Sequence, residues 1–171
     1  EGTENTLRMQ TSAGVQPVAA DAVVLALGGG SWARLGSDAA WVPVLAQRGI
    51  EIAPLRPANC GFDITWSDHF QQHHAGQPLK SVAIGLTDAS GEMVFRRGEC
   101  VITRSGIEGS LIYALSSVIR DRIVRDGIAT IFLDLIPDRS AERVASALAQ
   151  PRGSHSLSKH LHQRVGIYGV K

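Results

Sequence analysis

Apolar and polar positions follow one pattern up to about residue 56 and another beyond it. Leu7 to Thr11 and Val15 to Val18 flank Ser12-Ala13-Gly14, which predicts a hairpin with a glycine turn. A polar step at Asp21 then leads into the wholly apolar run Ala22 to Leu27, which Gly28-Gly29-Gly30 stops. A short apolar run bounded by glycine predicts a strand buried on both faces, as in a parallel sheet. Gly36-Ser37-Asp38 offers a helix N-cap, with Ser37 the better candidate. The helix it predicts covers Ala39 to Gln47, with Trp41, Val42, Leu45 and Ala46 on its buried side. Pro43 favours a later start, and Gly49 suits its end. Glu51 to Leu55 reads as a short strand, and Pro54-Leu55-Arg56-Pro57 as a crossing between domains.

Beyond it the period shortens. Asn59 to Thr65 alternates, with Cys60, Phe62 and Ile64 able to face one way. Trp66 to His74 is polar, carries a Ser67 or Asp68 cap, and predicts one or two helical turns. Lys80 to Thr87 alternates through Val82, Ile84 and Leu86, and Asp88-Ala89-Ser90-Gly91 predicts a turn. Glu92 to Phe95 and Glu99 to Thr103 read as two strands around an Arg96-Arg97-Gly98 turn. Residues 57 to 104 therefore predict an antiparallel meander, part of a small barrel. A long helix follows Gly106 to Ser110, with Leu111, Ile112, Leu115, Val118, Ile119 and Ile123 on one side and Ser117, Arg120, Asp121 and Arg125 on the other. Asp126-Gly127 ends it, and Ile128 to Leu135 predicts a very apolar strand. Helices starting near Pro137 and spanning Leu157 to Val165 close the chain, the latter with a Leu157, Leu161, Val165 stripe.

Composition narrows the function classes. The 171 residues suffice for one full domain or two small ones. A hydrophobic share of 44% and a charged share of 19% are those of a soluble globular protein. A formal net charge of +1 gives no electrostatic reason to expect nucleic acid or an anionic membrane, and 5% aromatics argue against a base-stacking surface. No apolar run reaches membrane-spanning length, and no signal peptide is visible. Cys60 and Cys100 belong to no C-x-x-C pair and read as reduced thiols, which suits the cytoplasm.

The candidate chemistry is concentrated in the glycine loop. Glycine after a buried strand lets the backbone approach a ligand with no side chain between, and ligands of open α/β sheets sit beyond strand carboxyl ends. Gly28, Gly29 and Gly30 are the first binding candidates, although neither G-x-G-x-x-G nor G-K-[ST] is present and a plain tight turn fits equally well. His69 and His73 have the spacing of a helical metal pair but no third ligand nearby, so solvated surface histidines are the simpler reading and no metal is expected. His155, His160 and His162 read as part of a basic, polar helix face. Arg96-Arg97 is most simply a solvated turn; its sharper reading is a clamp for an anion. Arg104 and Glu108 flank the start of the long helix, where an anion is also conceivable, against a plain local ion pair. Ser105 and Ser110 lack the setting of a nucleophile, and no catalytic residue is assigned.

The hairpin followed by Ala-Asp-Ala-Val-Val-Leu-Ala-Leu-Gly-Gly resembles the late FAD-domain motif of flavoproteins with two dinucleotide-binding domains. The longer series is more specific: Gly29-Gly30-Ser31, Gly36-Ser37, Gly49, Pro54-Leu55-Arg56-Pro57-Ala58, Gly91-Glu92-Met93-Val94-Phe95, Thr103 to Gly109, and Leu133-Asp134-Leu135-Ile136-Pro137. Together these resemble the bacterial BaiN/YhiN-like flavoproteins, the aminoacetone oxidase family. Relatives usually carry Thr-His-x-Gly-x-Ser-Gly-Pro where this chain has Arg104-Ser105-Gly106-Ile107-Glu108-Gly109-Ser110, so it looks like a distinct subgroup.

The resemblance implies an α+β chain in two parts. Residues 1–56 would be the end of an FAD-binding, Rossmann-like α/β domain: hairpin, strand, glycine loop, helix. Residues 57–171 would be an insert domain, with a small antiparallel β-barrel over about 57–136 and helices over about 138–171. The chain starts at Glu1 without methionine and lacks the family's first βαβ unit, which suits an internal segment of an FAD-dependent oxidoreductase. On this reading the segment alone binds FAD weakly or not at all. Gly28, Gly29, Gly30, Ser31 and Ser37 would lie near the FAD, whose flavin carries hydride transfer. For the serines, turn and cap chemistry is the simpler alternative. The insert would shape the substrate side, with a small-molecule substrate and NAD(P)H as candidate partners. The alternative is a binding or homo-oligomerisation module without catalysis of its own; a non-flavin α/β binding protein sharing the glycine turn is a weaker third.

Overall fold

Seven strands and five helices are built from these patterns in a computed structural model that describes residues 5–87 and 91–171. The predicted turn at Asp88-Ala89-Ser90 lies outside the described residues. The chain divides into two compact units, Glu1–Arg56 and Pro57–Lys171.

In the first unit, β1 (Asn5–Thr11) and β2 (Gly14–Ala20) pair antiparallel from Asn5↔Ala20 to Thr11↔Gly14, as the glycine turn predicts. Thr11 Oγ1 donates to the Gly14 carbonyl at 2.9 Å and accepts from the Ala13 N–H at 3.2 Å, which fixes the turn. Two expected strands are absent among the described residues. Ala22 to Leu27 pairs with nothing and is exposed, Val24 at 88%. Glu51 to Leu55 is likewise unpaired. A strand buried on both faces needs neighbours at both edges and a layer on each side. Residues 5–56 supply a single two-stranded ladder, so apolar character alone leaves both runs unpaired and largely exposed. The predicted helix shortens to α1 (Trp41–Ala46). Ala40, not Ser37, is its N-cap, and Asp38 accepts the Ala40 N–H at 3.0 Å.

The second unit is a five-stranded antiparallel sheet in the order β3-β6-β5-β4-β7, made of β3 (Phe62–Asp63), β4 (Pro78–Thr87), β5 (Met93–Ile102), β6 (Gly106–Glu108) and β7 (Phe132–Asp134). The expected break at Arg96-Arg97-Gly98 does not occur. Cross-strand pairing with β4 runs through Ile84↔Arg96, Ala83↔Arg97 and Val82↔Gly98, so a continuous ladder overrides the local turn chemistry. Gly98 is there because a Cβ would come within 3.0 Å of Leu111 Cβ on the helix above. An irregularity between Leu79 and Val82 places Lys80 and Ser81 opposite Glu99, with Ser81 at φ 51°.

Across the sheet lies α3 (Ser110–Asp126), ended by Gly127 in the left-handed conformation. It buries Leu111, Ile112, Ser116 and Ile119. The core joins Leu111 and Ile112 to Leu79, Val82, Ile84, Cys100, Ile102 and Ile107. Val118, placed on the buried side by spacing, is 45% exposed, because the buried arc of the helix is centred nearer Ile112 and Ser116. Three short helices complete the unit: α2 (Asp68–His74), α4 (Ala141–Leu148) and α5 (Leu157–Val165). Ser67, Ser140 and Ser156 cap them by accepting the N–H groups of Phe70, Arg143 and Lys159. His160, expected on a polar face, is buried at 6%, and its Nε2 donates to the Leu148 carbonyl at 3.3 Å, which ties α5 to α4.

Cys100 sits in this core, and burial with the nearby Glu99 carboxylate pushes its thiol from 9.0 to about 11. A thiol held protonated in the native state favours folding until the unfolded thiol ionises. Stability from this group is therefore intact below about pH 9 and falls as pH rises towards about 11. Iodoacetamide at neutral pH is expected to modify Cys60, which is partly exposed, and to reach Cys100 only after denaturation. Mass spectrometry of the native protein showing both sites modified at equal rates would contradict this burial.

Candidate functional site

The glycine loop of the first unit is a latched turn. Gly28 has φ 72°, a conformation open to glycine at no steric cost. The Gly29 N–H donates to Ser37 Oγ at 3.0 Å, and the Gly29 carbonyl accepts from the Ala39 N–H at 3.0 Å. Trp41 Nε1–H donates to the Gly28 carbonyl at 3.1 Å. Trp32 and Ser37 exchange both backbone hydrogen bonds, enclosing the single 3-10 turn Ala33–Leu35. The structure thus brings Gly28, Gly29 and Ser37 together and uses their polar groups on one another. Gly30 is packed differently: a Cβ there would stand 3.2 Å from Ala39 Cβ and 3.4 Å from Leu55 Cδ1. Ser31 is exposed and outside this network. As a cofactor cradle the loop fits at one edge only. The glycine space at Gly28 and Gly30 is bounded by the unit's own side chains, and Ser31 presents the group left open to a ligand.

The second unit carries a cavity of about 560 Å³ with its mouth between the β3–β6 edge of the sheet and α3. Phe62 and Ile107 form one wall, Ile119 and Ile123 of α3 another, and Ile131 on the segment leading into β7 a third. The strap Pro57–Gly61 lies along α3 and is pinned twice. The Asn59 N–H donates to Ser116 Oγ at 3.2 Å, and Arg120 Nη1 donates to the Pro57 carbonyl at 2.6 Å. Ser116, a buried hydroxyl, in turn donates to the Tyr113 carbonyl at 2.8 Å. Arg120 was expected on the solvated side of α3, yet its side chain is only 18% exposed. Cys60 and the exposed Asp63 also line the cavity.

Sequence reasoning had no means of finding this site. Its residues come from three separated segments, and the one legible hint is the alternation that turns Cys60, Phe62 and Ile64 inward, where each is partly buried.

The remaining polar candidates are engaged structurally. Arg97 pairs with Asp138 at 2.7 Å and also donates to the Pro137 carbonyl, both partners being exposed. His73 Nδ1 donates to the His69 carbonyl at 2.7 Å, and the two rings lie 4.2 Å apart. His162 stacks near Tyr168 at 4.8 Å. Arg104 is exposed just before β6, and Glu108 is exposed at the end of that strand, which the sequence reading lacks.

A curled antiparallel sheet, a helix across it and a closing helical pair define a recognisable unit. The family described as HI0933-like protein barrel and H2TH domain matches residues 56–171, about two thirds of the chain. The chain belongs to the HI0933-like family. No curated protein matches it. The HI0933-like match covers the sheet, α3 and the α4–α5 pair together, which agrees with a barrel-like insert followed by helices. The family is associated with FAD-binding flavoproteins. No helix among the described residues is long and apolar enough to cross a membrane.

Proposed function

We propose that residues 57–171 serve as the insert domain of a cytoplasmic FAD-dependent oxidoreductase and shape the substrate side of the flavin. The observation that carries this reading is the HI0933-like match over 56–171. In the assembled enzyme the flavin supplies hydride transfer to or from a small-molecule substrate, with NAD(P)H as the candidate second substrate. At the open edge of the loop, Ser31 would offer its exposed hydroxyl to the cofactor, with Gly28, Gly29, Gly30 and Ser37 shaping that edge.

The test is direct. The full-length protein containing this chain should purify yellow, with a flavin spectrum that bleaches on anaerobic reduction. A colourless protein that also fails to take up added FAD would overturn the proposal.

A further inference from the structure

The mouth cavity of the second unit has the size and lining of a small-molecule site, and its chemistry selects the ligand. Its volume of about 560 Å³ lies within the range of known ligand pockets, roughly 300–1,000 Å³. The walls are dominated by isoleucine and phenylalanine side chains, so the body of the ligand is apolar.

One fixed polar group interrupts this lining. A guanidinium has five N–H donors. In Arg120, Nη1 donates one to the Pro57 carbonyl and Nε donates its own to Asp121 Oδ1 at 3.0 Å, while Nη2 stands 2.9 Å from the same oxygen as an ion-pair contact. At least one N–H on each terminal nitrogen therefore has no hydrogen-bond partner among the described residues. These donors are held in place from two sides before any ligand arrives, which lowers the ordering cost of using them.

Charge decides what they accept. The Asp121 carboxylate already faces Arg120, and Asp63 lines the same cavity. Arg120 is thus already ion-paired and Asp63 stands at the cavity wall, so a second anion entering this apolar site would pay its desolvation without an uncommitted cation to meet it. A neutral carbonyl oxygen takes the spare N–H groups without that penalty.

We propose that this cavity binds an uncharged, largely apolar molecule with one carbonyl acceptor directed at Arg120. The site is independent of the flavin reading and is testable on this chain without cofactor.

Benzylacetone, its carboxylate isostere hydrocinnamate, and butylbenzene without an acceptor are the probes. Cys60, in the cavity wall, is the reporter. Saturating benzylacetone should slow alkylation of Cys60 by iodoacetamide at least fivefold, while hydrocinnamate at the same concentration changes it less than twofold. In titrations followed by NMR, butylbenzene should bind about tenfold more weakly than benzylacetone, the worth of a hydrogen bond to a charged donor. Arg120→Met should remove the preference of the site for the ketone over the hydrocarbon. Val124→Trp alters a rim residue that is 71% exposed, so it narrows the mouth with the core untouched, and should weaken benzylacetone binding at least fivefold. Equal protection of Cys60 by ketone and carboxylate would overturn the proposal. So would absence of protection by any of the three probes, or benzylacetone affinity unchanged in Val124→Trp.

Discussion

Gly106→Ala should cost the second unit about 3 kcal/mol or more, the upper part of the range for forcing atoms into a packed site. Gly106 is buried in β6, opposite Asp63 of β3. A Cβ there would lie 2.0 Å from the Phe62 carbonyl oxygen, 2.9 Å from Phe62 C and 3.0 Å from Asp63 Cα. All three are backbone atoms, so no rotamer change relieves the clash and β3 must move away from β6. That strand is two residues long and has little else to hold it: two paired positions, the Ile64 N–H to the Ser105 carbonyl at 2.8 Å, and Trp66 Nε1–H to the Gly106 carbonyl at 3.0 Å. Moving β3 weakens these bonds and lets water reach Phe62, Ile64 and Trp66, which pack on the core. Urea denaturation followed by fluorescence reads the effect through Trp66, this unit's lone tryptophan, with Trp32 and Trp41 giving a background common to wild type and variant. A red-shifted native spectrum and an earlier midpoint are expected; a loss within 1 kcal/mol would show that β3 yields more easily than its contacts imply.

Ile112→Ala should cost about 2–5 kcal/mol, through lost burial and the cavity left behind. Ile112 is fully buried at the centre of the contact between α3 and the sheet, in one cluster with Val82, Ile84 and Ile102. Val118→Ala on the same helix should stay within about 0.5 kcal/mol, because Val118 is 45% exposed. The two changes differ little in chemistry and mainly in burial. Equal midpoints in urea for the two variants would mean that α3 does not seat on the sheet as described.

That pair shows how far the sequence reaches. Spacing alone puts Ile112 and Val118 on one apolar side of a helix, and the helix is there. Which part of the stripe is covered depends on what lies across from it. Ile123, equally apolar, looks into the mouth cavity instead of the core. Ser116, absent from any apolar stripe, is buried because it lies one turn from Ile112 on the covered face, where the Asn59 N–H and the Tyr113 carbonyl satisfy its hydroxyl.

The chain itself determined what rests on near neighbours. Among these are the β1–β2 hairpin set by Gly14, the serine caps at Ser67, Ser140 and Ser156, the end of α3 at Gly127, and the alternation through Cys60, Phe62 and Ile64. Each depends on interactions within a few residues, which a linear pattern records. Tertiary structure alone decided the rest. Met93 to Ile102 became one strand because β4 offers it a continuous ladder, although Arg96-Arg97-Gly98 reads as a turn. Ala22 to Leu27 stayed out of any sheet among the described residues because no strand lies beside it, although its composition reads as core. The cavity beside Arg120 exists only where three distant segments meet. Strand pairing and burial are properties of two surfaces at once, and one segment's composition specifies only its own.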